Sequence, residues 1–373
     1  MRIAVNARML TQRRPGGIAR YARETLQRIT RRHGEHEFLF MVDRPFRDRE
    51  SYPENVTVAR AFPSVHPLLW YPWFELAVPR MLNRFGADLF LSPDGFNCLS
   101  TEIPTVVVIH DLSFELVPGD MPFLIHRYYR HFFPLFARKA RAIATVSEYS
   151  KQDIVRLYGG PADRVSVTYN GVSDFFRPLS GEDGARVRAE LTGGKPYFLA
   201  VGAIHPRKNL PRLIRSYDRF RREGGDAVKL VLTGPNLFRT GETFQALQEC
   251  QYRDDILLTG ILSDARLAEI FGAARAFFLV SVFEGFGIPI LEAMACDVPV
   301  VAADRTALPE VCGDAALLVD PFSVEAISGA MGRIHSDQNL RDSLVERGRA
   351  RRELFNWDNT ADLLWKAVER AMS

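Results

Sequence analysis

The sequence predicts an α/β protein made of two doubly wound parallel sheets. Three observations carry that prediction. Short apolar runs recur along the chain, bounded by Gly, Pro, Asn or Asp, and they are continuous rather than alternating, as strands covered on both faces must be. Stretches with helical spacing of apolar residues lie between them. The length of 373 residues exceeds what one hydrophobic core usually serves, so two domains are expected.

Taken in order, the strand runs of the first half are residues 2–5, 37–42, 88–91, 105–109, 142–146 and 165–168. Those of the second half are 197–201, 229–233, 256–259, 276–280, 298–302 and 316–319. Leu210, Leu213, Ile214 and Tyr217 share one helical face, and Leu267, Ile270 and Phe271 share another behind a Ser263 cap. Residues 359–372, with Leu363, Leu364, Ala367 and Val368 on one face, read as a terminal helix. The break between halves is expected within 177–196, where Arg-Pro, Ser-Gly and Thr-Gly-Gly-Lys-Pro flank a charged, weakly apolar segment. The expected division is therefore 1–178, 179–355 and a terminal helix 356–373 that packs back on the first domain.

Composition excludes several classes. The 48 Lys+Arg against 45 Asp+Glu leave a net charge of +3, too small for a protein whose affinity rests on neutralising nucleic-acid phosphates. Cys98, Cys250, Cys296 and Cys312 lie far apart without a Cys-x-x-Cys pair, and no charged-then-apolar leader opens the chain, which fits a reducing cytoplasm. No apolar run approaches the roughly 20 residues that span a bilayer, so membrane contact is expected to be peripheral at most. Neither an Asp-x-Asp motif nor a His/Cys ligand cluster is present, and no metal or cofactor is expected to be required.

In open α/β sheets ligands bind beyond the carboxyl ends of the strands, so the residues ending each run carry the functional reading. These ends are small and polar: His110-Asp111, Ser147-Glu148, Asn170-Gly171, Gly202, Gly234, Gly260 and Ser281. Two such rows facing one another are expected to form a cleft for two substrates. The most informative segment is 282–293, Val-Phe-Glu-Gly-Phe-Gly-Ile-Pro-Ile-Leu-Glu-Ala. Gly285 and Gly287 allow close backbone approach, and Pro289 suits the first turn of a helix whose free N–H groups favour phosphate. Glu284 precedes that turn and Glu292 lies inside the helix, two acceptors for the hydroxyls of one nucleotide sugar.

With these residues in view, the sequence resembles the retaining glycosyltransferases of family 4, which have the GT-B fold of two Rossmann-like domains. Their Glu, seven residues, Glu signature is matched by Glu284 and Glu292. The likeness continues through Val-Gly202-Ala-Ile-His-Pro-Arg207-Lys208-Asn209, Leu-Thr-Gly234-Pro, Asn170-Gly171-Val172, Ala-Thr-Val-Ser147-Glu-Tyr-Ser and Ile-His110-Asp111. Nearly the whole chain is covered, in the family's order.

The resemblance implies that Glu284 contacts the donor sugar and Glu292 the ribose, with Gly202, Gly234, Phe286, Gly287 and Ile288 lining the donor and Ile261 and Leu262 near the base. It implies that Arg207 and Lys208 neutralise the diphosphate, although some relatives place an Arg directly after the first glycine where this chain has Ala203. A cation pair at a helix start opposes the helix dipole, which favours a functional reading over a solvated surface. Gly16 and Gly17 are implied to lie near the diphosphate and acceptor, and His110 to fix a sugar hydroxyl rather than to act as nucleophile. Asp111 either orients that imidazole or caps the loop that follows.

No further glycine completes G-x-G-x-x-G, so an NAD-binding fingerprint is absent. The Asn-Ala-Arg and Ile-Ala-Arg-Tyr sequences of the N-terminal region resemble bacterial mannosyltransferases of surface polysaccharide synthesis, which implies GDP-mannose as donor and a glycan or lipid-linked acceptor. A UDP-sugar donor is the alternative, followed by a sugar-nucleotide epimerase or a non-catalytic partner of the same fold. Residues 66–74 and 123–133 combine large aromatics with bases. They suit the inner face of the plasma membrane, or else a core with snorkelling bases.

Overall fold

The computed structural model describes residues 1–12, 16–117, 119, 121–225, 227–237 and 240–372. The chain forms two units, Met1–Asn170 with Trp357–Ser373, and Gly171–Asn356.

The first unit is a seven-stranded parallel sheet of β1 (Arg2–Asn6), β2 (Glu37–Val42), β3 (Val56–Arg60), β4 (Leu89–Ser92), β5 (Thr105–Val108), β6 (Ala142–Thr145) and β7 (Val165–Val167). Its order is β3-β2-β1-β4-β5-β6-β7, so the direction of winding reverses between β1 and β4. Register there pairs Ile3 with Phe38 on one side and with Leu89 on the other. The strand β3 lies outside the expected runs. It is an edge strand whose Val56 is buried while Thr57 and Val58 are exposed, so its pattern escapes a search for strands covered on both faces.

The second unit is a six-stranded parallel sheet of β8 (Tyr197–Val201), β9 (Lys229–Thr233), β10 (Ile256–Gly260), β11 (Ala276–Leu279), β12 (Val300–Ala303) and β13 (Ala316–Val319). Its order β10-β9-β8-β11-β12-β13 reverses between β8 and β11. Helix Leu210–Arg222 buries Leu213, Ile214 and Tyr217 completely in a core shared with Phe198 and Leu230, each such side chain contributing about 1.5–3 kcal/mol of gross apolar burial. The Ser263 side chain accepts from the Arg266 amide and caps helix Asp264–Gly272, as its sequence pattern predicts.

Two expected boundaries need correction. The first unit's leading segment closes at Asn170 rather than at residue 178, and the charged segment expected as the interdomain break is a helix of the second unit, Gly181–Thr192. Ser180 caps it through the Asp183 amide, Gly193 ends it in the left-handed region, and Glu190 pairs with Arg266 at 3.0 Å. It buries little beyond Val187 and Thr192, hence its weak apolar signature. The last helix, Trp357–Met372, belongs to the first unit, where Leu364, Ala367 and Val368 are completely buried.

Candidate functional site

In the second unit the two strands flanking the reversal end in residues that meet. After β8, Gly202 has φ +144°, and a Cβ there would lie 2.8 Å from the Lys208 Cε. Gly234, after β9, has φ +146°, and a Cβ there would lie 2.1 Å from the Gly202 carbonyl oxygen, so only glycine fits. The short turn Pro206–Lys208 follows β8, ending at Asn209 in the left-handed region with φ +58°. The Asn209 side-chain amide donates to the Val280 and Pro321 carbonyls at 2.9 and 2.7 Å, and the Val282 amide donates to the Arg207 carbonyl. The basic turn is thereby clamped to the end of β11.

Glu284 lies on the other side of this clamp and is 6% exposed. Its carboxylate accepts from Lys208 Nζ at 2.6 Å, Ser281 Oγ at 2.6 Å and Arg207 Nη1 at 3.1 Å. Burial alone would push this carboxyl upward, but the charges of Lys208 and Arg207 and the hydrogen bonds from Lys208 and Ser281 hold it at about 2. Its backbone is fixed as well, since the Glu284 amide donates to Thr306 Oγ1 at 3.2 Å. Gly287 (φ +104°) leads into helix Ile288–Ala295 with Pro289 in its first turn, and Glu292 is buried within that helix. Phe286 packs edge-on against Phe355. The structure thus joins Gly202, Arg207, Lys208, Gly234 and Glu284, with the Phe286–Ile288 turn continuing from Glu284. Ile261 and Leu262 follow the edge strand β10, the first exposed and the second half-buried.

In the first unit His110 follows β5. Its Nε2 donates to the Pro93 carbonyl at 2.9 Å, which leaves Nδ1 as the acceptor of a neutral ring. Burial lowers its pKa, against the opposing effects of that hydrogen bond and of Asp111 and Asp94. Tyr21 meets the ring edge-on at 5.0 Å and is itself tied to Thr168 Oγ1 at 2.8 Å. Asp111 accepts from the Ser113 amide at the start of the short helix Ser113–Leu116, while the His110 ring is held by Pro93 and Tyr21. Gly16 and Gly17 stand exposed at the start of helix Gly17–Arg32. Gly16 has an ordinary φ of −91°, and a Cβ there would meet no atom within 4 Å, so its backbone does not demand glycine.

A second polar cluster lies at the β1/β4 reversal; the sequence marks its Asn6 and Arg8 only as part of a family resemblance, not as a site, and does not mark Ser92 or Asp94. The Asn6 amide donates to Ser92 Oγ and Asp94 Oδ1 at 2.9 and 2.7 Å, and Arg8 pairs with Asp94 at 3.4 Å with both side chains buried. The usable signal is the Asn-Ala-Arg sequence directly at a strand end. Among the described residues, the one group of side chains with metal-ligand spacing is His33, Glu35 and His36, which lies before β2, at the amino end of the sheet rather than at these carboxyl-end clusters.

The aromatic-basic segments divide between the two expectations. Trp73, Phe74 and Phe133 are buried, and Trp70, Tyr128, Tyr129 and Phe132 pack against that core. Leu68 and Tyr71 are exposed in the first segment, and Phe123 and Leu124 in the second, which also carries Arg127 and Arg130. Among the described residues no helix is long and apolar enough to cross a membrane.

Comparison with known proteins agrees with this geometry. A family model described as "Glycosyl transferases group 1" matches residues 183–351, and one described as "Glycosyltransferase Family 4" matches residues 15–174. The chain is 31% identical to an O-antigen chain mannosyltransferase B of Escherichia coli, covering 92% of this chain and 93% of that protein. It is 30% identical to an MMP alpha-(1->4)-mannosyltransferase of Mycolicibacterium hassiacum, over 80% and 75% of the two chains. Among solved structures, sucrose-phosphate synthase of Thermosynechococcus elongatus superposes with a TM-score of 0.79 at 19% identity, covering 99% of this chain and 98% of that one. The Anabaena protein HepE, solved with UDP and glucose, gives 0.77 at 18% identity over 99% of each.

Proposed function

The chain belongs to glycosyltransferase family 4, and from that premise we propose that it transfers mannose from GDP-mannose to a glycan or lipid-linked acceptor with retention of anomeric configuration. It is a nucleotide-sugar-dependent transferase of the GT-B fold. The mannosyl donor is supported by the names of its relatives, and the donor site by the Arg207–Lys208–Glu284 cluster.

That cluster is the observation on which the reading rests. Transfer breaks the bond between the sugar C1 and the diphosphate oxygen, forms a bond from C1 to the acceptor oxygen on the same face, and passes the acceptor proton to the departing phosphate oxygen. Negative charge therefore grows on the nucleoside diphosphate. Two cations held beside a buried carboxylate leave one net positive charge, aimed by the Asn209 clamp rather than by flexible side chains, and such preorganised charge stabilises a leaving group without reorganisation. Glu284 is proposed to engage sugar hydroxyls as a carboxylate, Glu292 the ribose, and Ile261 and Leu262 the base. His110 is proposed to accept from a sugar hydroxyl through Nδ1. No divalent metal is required in this reading. The exposed Leu68, Tyr71, Phe123 and Leu124 with Arg127 and Arg130 support a peripheral contact with the inner face of the plasma membrane.

Thermal stabilisation by GDP, UDP, ADP and their sugar conjugates tests the donor, because a ligand at 100 times its Kd adds about 2.7 kcal/mol to the folded state. GDP and GDP-mannose are expected to raise Tm selectively, and Lys208→Ala to abolish the rise. A response to UDP compounds instead would replace the donor, and an inverted product anomer by NMR would overturn the mechanism.

A further inference from the structure

Residues 33–36, His-Gly-Glu-His, form a tight turn between helix Gly17–Arg32 and β2, at the amino end of the first unit's sheet. The His36 amide donates to the His33 carbonyl at 3.1 Å and closes the turn. The Asn55 side-chain amide reaches the Thr30, His33 and His36 carbonyls at 3.1, 3.4 and 3.1 Å, so the turn is also held from the loop before β3. Within it the ligand atoms of His33, Glu35 and His36 all lie within 4.8 Å of one another.

Glu35 Oε1 lies 3.6 Å from His33 Nδ1 and 3.4 Å from His36 Nε2. Both separations exceed the usual N···O hydrogen bond of about 2.7–3.2 Å. They are close to the roughly 3.3–3.4 Å that separates two atoms bound to one tetrahedral zinc at about 2.0–2.1 Å each. The rings are fixed from outside the turn. Trp365 stacks on both imidazoles, with centres 3.7 and 5.2 Å away, and the imidazoles lie 5° from parallel with centres 6.1 Å apart. The indole is itself tied to Glu369 Oε1 at 2.9 Å, and His36 Nδ1 lies 3.3 Å from the Met1 nitrogen, which leaves Nε2 turned to Glu35. Two histidines three positions apart, without a cysteine, are a weak signal in the sequence until this turn and this stack are known.

Two imidazoles and a carboxylate form a mixed nitrogen and oxygen donor set, which suits zinc and its neighbours, whereas magnesium and calcium take oxygen. We propose that His33 Nδ1, Glu35 Oε1 and His36 Nε2 bind one divalent transition metal of the zinc type, with water completing its coordination, and that the ion fastens helix Trp357–Met372 to the first unit. The rings the metal holds are those on which Trp365 stacks, beside the pairs of Arg28 with Asp358 and of Arg32 with Asp358 and Asp362 that join the same two helices. Its role is structural, since the transferase cluster lies at strand carboxyl ends of the other unit.

Zinc chloride titrated into the chelator-treated protein, read by calorimetry and by thermal unfolding, tests the site without any sugar or nucleotide. One equivalent is expected to bind with a Kd in the micromolar range or tighter, and zinc at a hundredfold excess over Kd to raise Tm by about 5 °C or more. Glu35→Gln and His36→Gln should each weaken binding at least tenfold, since losing a mere outer partner already costs a metal site roughly 10–100-fold. Glu35 is exposed, so its variant keeps the fold, and His33→Phe keeps a ring against Trp365 while removing both nitrogens. Hydrogen exchange in helix Trp357–Met372 should slow on zinc addition in the native protein and not in Glu35→Gln. Absence of saturable binding, or binding that all three variants leave unchanged and that marks an adventitious ion only, would overturn the site. Zinc binding with no slowing of exchange would overturn the fastening of the helix.

Discussion

Replacing Lys208 with Met removes the closest cation from Glu284 while keeping the bulk of the stem against Gly202. Glu284 titrates at about 2 in the fold against the ordinary 4.5, so its surroundings favour the carboxylate by about 3 kcal/mol at roughly 1.4 kcal/mol per pH unit. Because the folded value is the lower one, this stability is present above pH 4.5 and is lost as pH falls towards 2. Arg207 and Ser281 stay in place, so Lys208→Met should cost about 2 kcal/mol at pH 7 and not the whole contribution. Glu284→Gln leaves two neighbouring cations without their carboxylate and should cost a similar amount. The double variant should cost about as much as either single one, a coupling of about 2 kcal/mol. Urea unfolding of the four proteins, followed through the transition of the second unit, measures that coupling. Additive losses, with a coupling below about 0.5 kcal/mol, would refute the claim that one ion-paired cluster organises this site.

Other outcomes follow from the same geometry. Burial lowers the His110 pKa below 6.5, so the neutral acceptor ring persists through that pH; kcat/KM should decline only on the acid side of it, and His110→Gln should flatten that limb. Gly234→Ala drives a methyl into the Gly202 carbonyl and should cost about 3–5 kcal/mol, read as a fall in Tm of roughly 10 °C even without nucleotide. Turnover should survive dialysis against a chelator, and restoration by added Mg or Mn of an activity lost that way would count against Arg207 and Lys208 as the charge partners. In a flotation assay the protein should rise with anionic vesicles at low salt and release as salt screens Arg127 and Arg130, and Phe123→Ser with Leu124→Ser should weaken it at every salt concentration.

What is legible in the sequence depends on whether a signal is local. Strands β2, β8, β9 and β13 coincide with their apolar runs because the pattern of each is uninterrupted. The edge strand β3 and helix Gly181–Thr192 carry weak apolar signals because each buries only part of itself. Glu284, Arg207 and Lys208 are recognisable one by one, each near a strand end. Their union is not, since Glu284 lies 77 and 76 positions from Arg207 and Lys208 and only the adjacency of β8 and β11 brings them together. Arg8 and Asp94 escape for the same reason, with 86 positions between them and no repeated spacing to mark the pair. Asp111 shows the limit of a local reading: next to a histidine in sequence, it serves the backbone of the following turn.

The first unit is discontinuous, closing only with helix Trp357–Met372, whose Trp357, Leu364 and Val368 are almost wholly buried. Domains generally fold as they leave the ribosome, the N-terminal one first. Here the second unit is the first whose residues are all synthesised. The strands of the first unit emerge early but lack one wall of their core until that helix is synthesised, whereas the second unit is a single uninterrupted stretch that is complete beforehand. Through all that intervening translation the nascent chain carries an open apolar sheet, so a premature stop within the helix exposes a surface made hundreds of codons earlier.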